Sequence, residues 1–301
     1  MTTIPGLHHV TAISGPAQAN VDFVTRVLGQ RLIKKTVNFD APDTYHLYYG
    51  DASGRPGSVL TFFPFADAAP GRAGPGMAEA FAYAVPDLGA IIDRLEPAAI
   101  GPDAQSRRFG AQVVTLHAPD GLVVDLIEDA QAPDAHGFHS VTLNLRDPGP
   151  TARLMTGVMG YTETAHETFA GGERLRLTAP GGAEAAIVDL VRRDGAAPAR
   201  PGAGTIHHVA FRAPTGAAQL DWRERLAAAG HPTTPVIDRQ YFDAIYFREP
   251  GGVLFEIATD APGFAVDEDP GHLGQTLKLP PKYEAMRDRI ERALPVLTVP
   301  A

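Results

Sequence analysis

Two pairs of adjacent histidines, His8-His9 and His207-His208, stand apart among the eleven in the chain. Both lie in apolar surroundings, Leu7 and Val10 around the first and Ile206 and Val209 around the second. A carboxylate, Glu256, sits in the run Val253-Leu254-Phe255-Glu256-Ile257, where burial without a strong partner is costly. The 301 residues include no cysteine, so thiolate zinc sites, iron–sulfur clusters, disulfides and a cysteine nucleophile are excluded. Any metal must be held by His, Asp or Glu. Two imidazoles and one carboxylate form a set that leaves neighbouring coordination positions open, as non-haem Fe(II) oxygenases require. The plainer alternative for Glu256 is an ion pair with an arginine. His117, His136, His166, His231 and His272 read as isolated surface or core histidines.

These residues need elements to position them, and a repeat supplies them. Gly6-Leu7-His8-His9-Val10-Thr11 resembles Gly137-Phe138-His139-Ser140-Val141-Thr142. Val27-Leu28-Gly29 resembles Val158-Met159-Gly160, and Pro119–Ile127 resembles Pro250–Ala258, all at one offset. Each half divides again into a strand, an amphipathic helix and further strands. The first strands are Leu7–Ile13, Ala80–Val85, Phe138–Leu145 and Ile206–Arg212. Val21, Val24, Val27 and Leu28 mark the first helix; Leu88, Ile91, Ile92 and Leu95 mark the second, which ends at Pro97. Leu154, Met155 and Val158 mark the third; Leu220, Arg223, Leu226 and Ala227 mark the fourth. Aromatic and β-branched runs, such as Tyr45–Tyr49 and Val59–Phe63, supply later strands. The expectation is an α+β chain of four βαβββ modules, near 4–65, 78–130, 136–191 and 204–260. Two domains follow, 1–130 and 136–260, with a tail over 261–301 whose helix carries Met286, Ile290 and Leu294. Gly71–Gly76 and Gly195–Gly204 read as linkers. Gly71–Gly76 lacks the spacing of a phosphate loop.

Aligning the modules sharpens the candidate set. At the position of His9 the four modules carry His9, Ala80, Ser140 and His208. At the position of Glu256 they carry Thr61, Asp125, either Val188 or Asp189, and Glu256. Ligand-competent residues therefore coincide in the first and fourth modules, as His9, His208 and Glu256. Alternation along a strand points one histidine of each pair into the cleft and the other away, unless a bulge intervenes. A triad from these modules requires them to meet.

The motifs resemble the vicinal-oxygen-chelate superfamily (glyoxalase, bleomycin resistance, extradiol dioxygenase), whose unit is the βαβββ module. More narrowly they resemble its ring-cleaving hydroquinone dioxygenases. The stretches that carry the resemblance are Gly6–Ile13, Lys34–Asp40, Thr44–Asp51, Ile206–Phe211, Tyr246–Gly252 and Leu279–Glu284. It spans nearly the whole chain. It implies two glyoxalase-like domains with cupped mixed sheets and Fe(II) held by His9, His208 and Glu256; the same donors also suit Mn(II). It implies ring opening of a small aromatic diol, substituted or chlorinated, by O2, in the catabolism of aromatic compounds. It also implies a catalytic pocket containing His8, His207, Arg239 and Tyr246. An even hairpin loop after Tyr246 would set Ile245 opposite Glu256; an odd loop or a bulge would set Tyr246 there. The simpler readings are core packing for Tyr246 and a surface charge for Arg239.

Two rivals share the fold. A glyoxalase-like metal-dependent isomerase or lyase commonly uses four protein ligands, and Thr61 stands where a second carboxylate would be. A metal-free small-molecule binding protein has no use for the retained His9, His208 and Glu256. Composition excludes other classes. Lys and Arg number 26 against 35 Asp and Glu, which gives no nucleic-acid footprint. No apolar run approaches a membrane span, and the first residues lack a signal-peptide pattern. The expectation is a cytoplasmic protein without nucleic-acid or membrane partners, for which a homo-oligomer is allowed.

Overall fold

The structure is a computed structural model, described over residues 3–93, 95, 100–130, 132, 137–181 and 185–300. Pro97 and His136 lie outside the described residues. Each module runs strand, helix, three strands. The first has β1 (Leu7–Ser14), α1 (Ala17–Asp22), which continues as a π-helical turn over Phe23–Val27, then β2 (Arg31–Asn38), β3 (Ala41–Gly50) and β4 (Val59–Pro64). The second has β5 (Met77–Val85), α2 (Leu88–Ile92), β6 (Ile100–Arg108), β7 (Ala111–His117) and β8 (Val123–Glu128). The third has β9 (Phe138–Asn144), α3 (Pro148–Gly157), β10 (Thr162–Phe169), β11 (Gly172–Thr178) and β12 (Ile187–Arg193). The fourth has β13 (Thr205–Ala213), α4 (Gly216–Ala228), β14 (Ile237–Asp238), β15 (Phe242–Arg248) and β16 (Leu254–Pro262).

The apolar stripes of the helices cover the sheets, with one difference from the sequence reading. On α4 the buried face is Gln219, Trp222 and Leu226, and Leu220 is exposed. The bulk of Trp222 decides which stripe turns inward, because it removes more apolar area from water than leucine does. The tail helix is interrupted, as α5 (Pro281–Glu284) and α6 (Arg287–Ala293), and it buries Ile290 and Leu294 against the body.

The modules do not pair in chain order. One eight-stranded sheet has the order β14-β15-β16-β13-β1-β4-β3-β2, joining the fourth module to the first. The other has the order β10-β11-β12-β9-β5-β8-β7-β6, joining the third to the second. Each sheet therefore takes one module from each half of the repeat. The antiparallel seams are β1 with β13 and β5 with β9. The two linkers cross where the sheets meet. The Arg72 and Arg200 backbones exchange hydrogen bonds of 2.8 and 2.9 Å, and the Gly71 amide donates to the Ala203 carbonyl. A Cβ on Gly202 would come within 2.4 Å of the Ala69 carbonyl oxygen, so the crossing needs glycine there.

Candidate metal centre

The seam between β1 and β13 sets the site. Its register pairs Leu7 with Phe211, His9 with Ala210, Thr11 with His208 and Ala12 with Ile206. His8 and His207 are thus each an extra residue, a bulge on either strand. A bulge breaks the alternation and turns the extra side chain toward its neighbour's face. The simple alternation of the sequence reading therefore does not hold here. His8 Nδ1 lies 2.9 Å from His9 Nδ1, and His207 Nδ1 lies 2.8 Å from His208 Nδ1.

These contacts select tautomers. The Thr259 carbonyl can only accept, so His8 Nε2, 3.1 Å away, carries its proton. His8 Nδ1 then accepts from His9 Nδ1, and His9 Nε2 is left with a bare lone pair. His207 stands beside His208 in the same way, and donation from His208 Nδ1 to His207 Nδ1 would likewise leave His208 Nε2 bare. Two neighbouring histidines thereby orient two potential ligands, as outer partners do around metals.

The freed atoms converge. His9 Nε2 and His208 Nε2 are 3.3 Å apart. Glu256 Oε2 lies 3.4 Å from the first and 2.9 Å from the second. All three residues are buried, Glu256 fully. Neither Glu256 oxygen receives an aligned hydrogen bond, although His208 Nε2 is near. A buried carboxylate without a donor is costly, and a cation relieves it. Ligands at right angles on an ion with bonds of about 2.1 Å are separated by about 3 Å, close to the observed spacing. The donor set therefore fits a divalent metal.

Protonation states agree with this. Burial alone would raise the Glu256 carboxyl, but His9 and His208 outweigh it and hold it well below its ordinary value. Burial lowers His208, against the pull of Glu256, and brings His8 down to about 3.

A cavity of about 440 Å³ opens onto the three residues. The loop after β15 runs Glu249–Val253, an odd count, and Tyr246 lies opposite Glu256 in the register. Arg239 Nε donates to Tyr246 Oη at 3.2 Å, and its guanidinium also meets the exposed Asp40 carboxylate. Both line the cavity wall rather than the core or the open surface. His207 is exposed at the mouth, whereas His8 is buried behind His9.

One pair of cavity residues has no role in the sequence reading: His46 and Tyr48 on β3. They lie two apart on one strand, hence on one face. Tyr48 pairs with Thr61 as Tyr246 pairs with Glu256, so the two tyrosines are equivalents across the seam. That correspondence was available in the repeat as the match of Tyr48 to Tyr246. Thr61 fills the fourth slot, with its hydroxyl 2.9 Å from Thr11 Oγ1 and 2.8 Å from His46 Nε2.

The model of the "Glyoxalase/Bleomycin resistance protein/Dioxygenase superfamily" matches residues 6–126 and 137–257. The chain belongs to that superfamily. Among curated members it is 42% identical to "Putative ring-cleaving dioxygenase MhqO" of Bacillus subtilis (strain 168), over 96% of this chain and 95% of that one. It is 32% identical to the "Chlorohydroquinone/hydroquinone 1,2-dioxygenase" of Sphingobium indicum, over 97% and 96%. The crystal structure of a protein named "putative dioxygenase" from Bacillus subtilis subsp. subtilis str. 168 superposes with a TM-score of 0.92 at 40% identity, covering 100% and 99% of the two chains. Glyoxalase I from Zea mays superposes with a TM-score of 0.67 at 13% identity, over 85% and 92%, and shares the fold. The superfamily's paired modules thus appear here with the α+β architecture expected of them.

Proposed function

We propose that the protein is an Fe(II)-dependent, ring-cleaving dioxygenase of the extradiol type that opens hydroquinone-type aromatic diols with O2. The observation that carries this reading is a three-ligand set, His9, His208 and Glu256, with Thr61 in place of a fourth ligand. A four-ligand centre suits isomerases, whereas three ligands leave room for both diol and dioxygen. The names of the full-length relatives point to the same chemistry.

His9, His208 and Glu256 would hold the metal, and Mn(II) suits the same donors. When bound, iron supplies a site where an aromatic diol and dioxygen meet and exchange electrons. The remaining work belongs to the chain. His8, anchored on the Thr259 carbonyl, holds the His9 imidazole in the tautomer that presents Nε2, and His207 braces His208 at 2.8 Å. Phe63 and Phe242 line the cavity and keep water from the ring. A para-diol cannot chelate through both oxygens, so wall groups must orient it. The Arg239 guanidinium and the Tyr246 hydroxyl, coupled at 3.2 Å, form a donor pair for a negative oxygen. Burial, followed by the charge of Glu256, holds Tyr246 well above its ordinary range, so it remains a phenol and can donate.

The test is anaerobic purification with metal analysis, Fe(II) loading, and oxygen uptake with hydroquinone, catechol and gentisate in parallel. Uptake with hydroquinone, with one ring-opened product per O2 consumed, is the expected result. An iron-loaded protein inert toward all three would end the dioxygenase reading.

A further inference from the structure

The diol must lose a hydroxyl proton to become an anionic ligand, and neither His8 nor Tyr246 offers a clear place for it, while His207 stands exposed at the mouth of the cavity. His8 has both ring nitrogens engaged, by Thr259 and His9. Tyr246 faces the Arg239 guanidinium, which cannot take a proton, and Glu256, which is committed as a metal ligand in this reading. On the opposite wall the arrangement differs. Tyr48 Oη lies 2.8 Å from His46 Nδ1, and His46 Nε2 lies 2.8 Å from Thr61 Oγ1. Thr61 in turn meets Thr11 at 2.9 Å, and both threonines are fully buried. A phenol is the better donor and an imidazole nitrogen the better acceptor. The chain therefore runs from Tyr48 to His46 to Thr61, and Tyr48 keeps its oxygen lone pairs free for the cavity.

We propose that Tyr48 and His46 form the base that deprotonates the bound diol, with Tyr48 touching the substrate hydroxyl and His46 receiving the proton through it. This rests on the ring-diol reading above. In the step, the substrate O–H bond breaks and its proton joins Tyr48 Oη. The Tyr48 O–H bond breaks at the same time, and that proton joins His46 Nδ1. The products are a diol oxyanion and a His46 imidazolium. No electrons move between partners, and no co-reactant is needed. Thr61 continues to accept from His46 Nε2 throughout, and with the inner end of the chain closed the charge stays on His46. Burial disfavours that charge, and two ring faces offset part of the cost. The His46 ring lies 4.0 Å from the Tyr48 ring and 4.3 Å from the Phe63 ring, two faces that attract a cation. Both groups rest in the neutral form. Burial, then His9 and His208, hold His46 well below its ordinary value, so it is neutral. Burial, then Tyr246 and Glu256, hold Tyr48 well above its own, so it is a phenol.

The test uses His46→Gln, which keeps one donor and one acceptor, and Tyr48→Phe, in the Fe(II)-loaded protein under anaerobic conditions. The probe is 4-nitrophenol, whose visible absorbance reports its ionisation in the cavity. Either variant should raise the apparent pKa of the bound probe by about one unit or more, a tenfold shift, with metal content unchanged. In air, kcat/KM for hydroquinone should fall about 10²-fold or more. The fall should shrink for dichlorohydroquinone, whose hydroxyl is more acidic. An unaltered probe pKa in both variants, or an equal fall for every diol, would overturn the assignment. If the wild type ionises the probe through His46 but consumes no oxygen with any diol, the base stands and the dioxygenase reading fails.

Discussion

The cleft of the sheet joining the first and fourth modules and the cleft of its sister sheet start from the same plan. Both seams carry two bulges, at His8 and His207 in one and at Glu79 and His139 in the other. Both have carboxylates at the last-strand slots: Glu256 in one, Asp125 and Asp189 in the other. The register settles the third-module slot as Asp189 rather than Val188. In the sister cleft, however, Ala80 and Ser140 stand where His9 and His208 would be. There the carboxylates are closed by arginines. Asp125 accepts from Arg108 at 2.7 Å and from Thr115, and Asp189 takes a two-pronged bond from Arg176 at 2.8 Å. A buried carboxylate needs a cation in either cleft. Where the imidazoles persist, the need can be met by a metal; where they are gone, a guanidinium meets it within the chain. In this chain, the cleft without imidazoles balances each buried carboxylate with a guanidinium instead.

The largest effect should separate the clefts outright. Glu256→Ala should abolish metal retention with the fold largely kept, whereas Asp125→Ala and Asp189→Ala should retain the metal. Metal analysis after gel filtration checks this, and normal metal in Glu256→Ala would show that another carboxylate is the ligand. The second effect runs the other way. Asp189→Ala leaves Arg176 facing an emptied, buried slot and should cost about 3–5 kcal/mol in urea unfolding. In the metal-free protein Glu256→Ala should cost less, because the imidazoles it leaves behind can stay neutral whereas a guanidinium cannot. A third test attempts to make the clefts alike. Ala80→His combined with Ser140→His should still bind one metal per chain, because Arg108 and Arg176 hold the carboxylates. Two metals per chain would show that the arginines do not close the site.

The smallest effect is a pH dependence in the sister cleft. His139 lies against Ser140, and burial, with Arg176 next in effect, brings it down from 6.5 to about 4. Above pH 6.5 the folded and unfolded chains both carry it neutral. Between 6.5 and about 4 the unfolded chain binds a proton that the folded chain refuses, so stability is lost as pH falls, by up to about 1.4 kcal/mol per pH unit. His139→Gln should flatten that part of the urea-midpoint profile. An unchanged slope would mean that His139 is protonated in the folded chain.

Much of this was legible in the chain as written. The absence of cysteine restricts ligands to nitrogen and oxygen, and the repeat fixes four modules and aligns His9, His208, Thr61 and Glu256. Those are properties of residue type and local pattern, which survive without knowledge of the fold. Other features exist only in pairings between distant strands. That the first module joins the fourth, that bulges bring His8 beside His9 and His207 beside His208, and that Tyr48 leans on His46 and Thr61 all depend on register. Register is set by long-range hydrogen bonding and by which faces become buried. The sequence by itself determined which residues could bind a metal; only the tertiary structure decided which of them meet, and which carboxylates instead found an arginine.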